Sequence, residues 1–185
     1  MIEITSEAIE RAETMLAGVP KGAERAFSNA INRAVTFSKT KAFKEVRKVY
    51  TAKQSDLNSK TATKVQKAST GNLVGFVSFS GTKLPLYNFK VTPKEPGKRK
   101  RVKVEVKKGG GATFDSAFIA NLGRGPGVFE RITSRRYPTE ELMGLSAGQM
   151  VQNEVIIEQL SEEAQEKFND RVIHEIERIL NGYGG

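Results

Sequence analysis

Cysteine is absent from this 185-residue chain, and histidine occurs once. The first absence excludes disulfides and thiolate chemistry. Together they exclude a zinc site of ordinary type within one chain, since such sites draw on cysteine and histidine. No Asp-rich loop has calcium-binding spacing. No stretch approaches the roughly 20 apolar residues of a membrane span. The N-terminal "MIEITSEAIERAETMLAG" has no basic start and no long apolar run, so no signal peptide is expected. The expectation is a soluble intracellular protein with no cofactor, no metal and no membrane partner.

Residues for covalent chemistry are equally scarce. His174 stands four residues from both Asp170 and Arg178, the spacing of an ion-pair row on a helix surface rather than of a catalytic base. "GRGPG" at 123–127 lacks the lysine and following helix of a phosphate loop, and reads as a turn. "SKTK" at 38–41 matches a serine-x-x-lysine pattern without its companion motifs. Glu154, Glu158, Glu162, Glu163 and Glu166 fall at spacings typical of a solvated helix face. No enzyme is expected.

Charge is abundant and unevenly placed. The chain carries a net +9, yet residues 39–108 hold nineteen bases against four acids, and residues 154–185 hold three bases against eight acids. A basic middle attracts polyanions, and it also attracts the acidic end of a neighbouring copy.

Periodicity indicates helices, then strands, then helices, which is an α+β order. A short helix carries Ile9, Ala12 and Leu16 on one face and ends at Gly18 and Pro20, with Thr5 or Ser6 as its cap. Residues 23–50 repeat apolar side chains at helical spacing, but the polar "TFSKTK" leaves open whether they form one helix or two. A further helix is expected through "LNSKTATKVQKA". "NLVGFVSFSG" and "LPLYNFKVTP" read as a hairpin, and "RVKVEVKK" as a strand with its valines on one face. "AFIANL" and "GVFERI" are strand-like pieces. Ser146 opens a helix, and Ser161 caps the last one, with Glu162 and Glu163 in its first turn. The expected architecture is one domain over 1–185, with a helical part at 1–70, a β-rich core at 71–137 and helices at 138–185. A central antiparallel sheet would be flanked by a long N-terminal and a C-terminal helix. Phe27, Ile31, Val35, Phe76, Phe79, Phe89, Val104, Phe118, Ile119, Phe168, Val172 and Ile176 are expected to be mostly buried.

Two basic stretches stand out. "PGKRKRVKVEVKKGGG" gathers Lys98, Arg99, Lys100, Arg101, Lys103, Lys107 and Lys108 around one acid. It reads as a solvated loop and strand face, or as a contact to a phosphate backbone. Without interleaved aromatics it is not a base-stacking surface. "RITSRRYP" sets Arg131, Arg135 and Arg136 beside Tyr137, which is either a basic turn or an arginine–tyrosine interface patch.

Four stretches in order resemble the minor tail protein Z family of tailed bacteriophages and prophages, the tail completion proteins. They are "AFSNAINRAVTFSKTKAFKEVRKVYTAKQSDL", "SGTKLPLYNF", "VKVEVKKGGGATFDSAFIANL" and "VFERITSRRYPTEELMGLSAGQMV", the last two being the specific ones. The chain departs from the closing motif at Leu145, where a proline is common, and at Tyr137, which lies between Arg136 and Pro138. The resemblance implies a structural virion protein at the head-proximal end of a tail, needed for head–tail joining and for entry of the genome's end. It implies no catalytic residues and a homo-oligomeric ring, as a hexamer. Its partners would be other tail or neck proteins, such as a tail terminator, tail tube or connector, with non-specific DNA contact in a lumen as a secondary role. On that reading the basic residues are interface or lumen contacts, and Glu162, Glu163 and Glu166 are acidic contacts between subunits. The competing reading is a sequence-indifferent nucleic-acid binder that uses the basic loop at 97–108.

Overall fold

The longest element is a single helix, α2 (Gly22–Val49). The polar "TFSKTK" does not break it. The hydroxyls of Thr36, Ser38 and Thr40 donate to carbonyls four residues earlier at 2.8, 2.9 and 2.9 Å, so these side chains are satisfied on the helix itself. The structure, a computed structural model, describes residues 6–97, 101–123 and 125–182. Its fold is mixed α+β, with the expected long helices near the N-terminus and at the C-terminal end, the latter being α5 (Glu154–Leu180). The β structure is three small sheets instead of one central sheet.

The chain forms two compact units: Met1–Ala42 with Thr63–Ser78 and Asn153–Gly185, and Phe43–Ala62 with Phe79–Gln152. In the first, α1 (Ser6–Met15), the turn that follows it and α2 present Ala12, Leu16, Ala26, Phe27, Ala30, Ile31, Ala34 and Val35 to Phe168, Ile176 and Ile179 of α5. The small residues of α2 repeat every three or four positions, which permits close approach along one face. Phe27 and Phe168 stack with ring centroids 6.4 Å apart. Asn32 interrupts the apolar pattern for a reason. Its amide donates to the Ala68 carbonyl at 3.0 Å, and its Oδ1 accepts from the Ala68 N–H at 2.8 Å.

The second unit holds two three-stranded antiparallel sheets. One is β3 (Lys90–Thr92), β4 (Val102–Glu105) and β5 (Ala112–Phe114); the other is β6 (Phe118–Asn121), β7 (Pro126–Arg131) and β8 (Thr139–Glu141). Val91, Val104 and Ala112 are register partners across the first, and Ile119 pairs with Val128 in the second. Residues 84–86 lie beside 142–145. Leu84 N–H donates to Leu145 O, Gly144 N–H to Leu84 O, and Leu86 N–H to Leu142 O. Ser146 then caps α4 (Ala147–Val151) through a full capping box with Gln149.

Several expectations need correction. The helix expected through residue 68 is only α3 (Gln54–Ser59), followed by β1 (Thr61–Gln66). Thr61, Thr63 and Val65 put β-branched side chains on alternate positions, which favours a strand although the segment is mostly polar. "NLVGFVSFSG" and "LPLYNFKVTP" do not pair as a hairpin. The former supplies β2 (Phe76–Gly81), whose partner is β1, and the latter forms a 3-10 turn at Leu86–Asn88 before β3. Phe76 and Phe79, three apart on a strand, face opposite ways. Phe79 meets the Phe43 ring at 5.2 Å, and Phe76 is 39% exposed. Phe79, Phe118 and Val172 are half-buried, and the remaining expected core positions are buried. Ser161 is not a cap. Helix α5 begins seven residues earlier, after Asn153, so Glu162 and Glu163 sit in its third turn.

Candidate interaction surfaces

The basic run divides once its partners are seen. Lys98, Arg99 and Lys100 lie outside the described residues. Arg101 pairs with Asp115 at 2.9 Å, and Lys90 neutralises Glu105 at 2.8 Å. The Lys90 bond, helped by the Gly109 N–H, holds the Glu105 carboxyl below its ordinary pKa. Lys103, Lys107 and Lys108 are exposed, with the Lys107 ammonium 5.9 Å from the centre of the Tyr50 ring. β4 is the middle strand of its sheet, so Lys103 does not guard an edge. Lys103 is the outward residue of β4 between the buried Val102 and Val104, with Thr92 and Thr113 as its register partners, and Lys107 and Lys108 lie just past the strand.

The second basic stretch builds a more defined surface. The register Phe118–Phe129, with Arg131 opposite Thr139, places Phe118, Ala120, Phe129, Arg131 and Thr139 on one face of the β6–β8 sheet. The Arg131 guanidinium lies 5.6 Å from the centre of the Phe118 ring, and that of Arg136 lies 5.7 Å from the Tyr137 ring. These residues line a shallow open hollow with Leu122 and Thr139. Arg135 is exposed in the adjoining turn, where its N–H donates to the Thr133 hydroxyl. Leu122, Ile132 and Tyr137 are 47, 61 and 60% exposed, so large apolar groups stand among the arginines. Stacked arginines keep their N–H edges available to carboxylates or phosphates.

The acidic residues of α5 fall into two groups. Glu163 is engaged within its own unit by Lys41 at 2.7 Å and by Gln159. Glu162 and Glu166 are exposed, as are Glu154 and Glu158 on the same row. Glu175, fully buried on the same helix, accepts from Asn29 at 2.9 Å and pairs with Arg171 at 2.5 Å and Arg178 at 2.8 Å. Burial pushes its pKa up, but Asn29 and the two guanidinium groups outweigh that and hold it below the ordinary carboxylate value. His174 is exposed beside Arg33, Lys167, Asp170 and Arg171. Among the described residues, no group of three His, Cys, Asp or Glu is placed to hold a metal ion, and no helix is long and apolar enough to cross a membrane.

Comparison with known families gives a match over nearly the whole chain. Residues 6–183 fit the model of the prophage minor tail protein Z (GPZ) family. No curated protein and no solved structure matches the chain. Since the match spans nearly the whole sequence, the chain belongs to that family: it is a phage minor tail protein, with a structural role in the tail of the virion.

Proposed function

We propose that this minor tail protein completes the head-proximal end of the tail, so that the head can join and the end of the genome can enter. It works by surface contact, as a ring of copies matched to the tail's sixfold symmetry. It docks on neighbouring layers such as a tail terminator, tail tube or connector. The observation that carries this reading is the arginine–aromatic face of the β6–β8 sheet in a chain of this family. Arginine and tyrosine standing among exposed apolar side chains are the composition of a protein-binding patch. On this reading the chain performs no covalent chemistry.

Deleting the gene from the phage or prophage that encodes it, then examining the particles by electron microscopy, tests the reading. Filled heads and full-length tails that stay apart, or that join without delivering DNA, are the expected products. Normal infectious particles from the deletion would overturn it. The exposed Lys103, Lys107 and Lys108, with the sequence pI of about 9.8, favour a second reading as a non-specific nucleic-acid binder. Filter binding at two salt concentrations separates the two. Tight, steeply salt-dependent retention of duplex DNA by the isolated chain supports the second reading.

A further inference from the structure

Glu154, Glu158, Glu162 and Glu166 recur at every fourth residue of α5, and all four are exposed. They span about 18 Å of helix axis. Like charges at this spacing oppose one another, so such a row weakens the helix unless cations arrive from outside. No described residue makes an ion pair with any of the four; Lys41 pairs with Glu163 and Lys167 with Asp170. Val155 and Ile157, 64 and 48% exposed, lie in the first turn beside the row. The start of α5 therefore presents carboxylates mixed with β-branched apolar groups.

The face of the β6–β8 sheet presents the complement. Arg131, Arg135 and Arg136 make no ion pair with a described carboxylate, and Leu122 and Tyr137 are exposed among them. Glu141, the one acid on this face, lies beside Gly127 and across from Phe129. Two guanidinium groups are already ordered on aromatic rings, which lowers the entropy lost when they fork onto carboxylates.

We propose that these two surfaces bind each other between copies of this chain: the glutamate row of α5 in one copy seats on the arginine–aromatic face of the next. A second copy is the occupant because one contact supplies what both surfaces lack, cations for the row and carboxylates for the arginines. The two surfaces are unlike, so the contact either repeats head-to-tail into a ring or filament, or is made twice across a two-fold axis. The inference deepens the tail-end reading by naming the subunit contact, and rests on that reading only for where in the particle it operates.

A charge swap on the purified full chain tests it. One variant carries E154R, E158R, E162R and E166R, the other R131E, R135E and R136E. By sedimentation at low salt, the wild type should gain mass with concentration and lose it as salt rises. Each variant alone, with like charges on both surfaces, should associate about tenfold more weakly or worse. An equal mixture should recover the wild-type mass, because each variant then meets its complement. A monomeric wild type at every concentration would overturn the proposal, as would variants that assemble normally or a mixture of folded variants that fails to recover. If the arginine variant lost duplex DNA binding while self-association stayed intact, the face would be a DNA surface and the proposal would fall. Circular dichroism keeps misfolding apart from lost association. Failure here leaves the deletion experiment on tails unaffected, so the two readings fail separately.

Discussion

Gly144 lies against the ring of Phe89. A β-carbon at position 144 would stand 2.7 Å from Phe89 Cε2 and 3.2 Å from Leu86 Cδ2. Phe89 is only 5% exposed, so the ring has no open space to move into. Both residues belong to stretches that carry the family resemblance, and the backbone bonds of Leu84 and Leu86 to residues 142–145 join those stretches. The motif is therefore a fastening between two segments about sixty residues apart in sequence. Gly144→Ala should cost about 1–3 kcal/mol through overpacking. In a Phe89→Leu background the same change should cost clearly less, because the contacting ring edge is gone. Thermal unfolding of the four proteins checks this, and additive costs would show that the ring contact is not the cause.

Asn32 performs a similar task in the first unit. Its amide satisfies both the N–H and the C=O of Ala68, a pair of backbone groups that a helix or sheet would otherwise serve. Asn32→Ala should lose about 1–3 kcal/mol by leaving these partners unmet. Asn32→Asp should also lose stability, because a carboxylate accepts from Ala68 N–H but cannot donate to its carbonyl. Amide exchange at Ala68 should be faster in both variants than in the wild type.

Glu175 supplies the pH dependence. Its folded-state pKa lies below the unfolded value of about 4.3. Its contribution is therefore present above that unfolded value and lost as pH falls through the folded one. Glu175→Gln should be weaker at neutral pH and lose less on acidification than the wild type, as read from denaturant midpoints along a pH series. Glu105, whose pKa is also lowered, titrates in the same direction in both proteins and does not affect the comparison. Glu175→Ala at pH 7 leaves Arg171 and Arg178 without their shared carboxylate and should cost about 2–4 kcal/mol. Parallel pH profiles for wild type and Gln variant would show that the carboxylate makes no such contribution.

The helices were legible because their signal is local. Ala12 and Leu16, the run from Ala26 to Val35, and Phe168 to Ile179 repeat at the helical period and are buried where the period says. Strand β4 was legible for the same reason, with Val102 and Val104 buried and Lys103 outward. β1 was not, since "TATKVQ" has one large apolar residue and its partner lies beyond the next turn. Pairing in the β region is set by contacts distant in sequence, such as Leu84 with Leu145, which no short window contains. Ser161 misled because serine caps helices but also sits inside them, and only the start of α5 at Glu154 decides. The candidate surfaces were partly legible. Arg131, Arg136 and Tyr137 were flagged by composition, whereas Phe118 joins them only through the β6–β7 register. Glu163 looked equivalent to Glu162 until Lys41 was placed beside it. The four-residue recurrence from Glu154 to Glu166 was visible in the sequence throughout.

The departure at Leu145 has a physical account with its own consequence. Leu145 uses its carbonyl, which accepts from Leu84, but its N–H donates to no described backbone group. It precedes the helix cap Ser146, where a fixed φ near −65° suits an extended entry to a helix. The residue before it is glycine, which loses little from the restriction that proline places on its predecessor. Leu145→Pro should therefore leave stability within about 1 kcal/mol of the wild type, the stiffer chain offsetting the lost leucine contacts. Ser146→Ala, one position on, should cost about 1 kcal/mol because it removes the capping hydroxyl. Chemical denaturation of the two variants tests the ordering. A proline variant weaker than the alanine variant would mean that the Leu145 side chain or its N–H holds a role that the backbone bonds do not reveal.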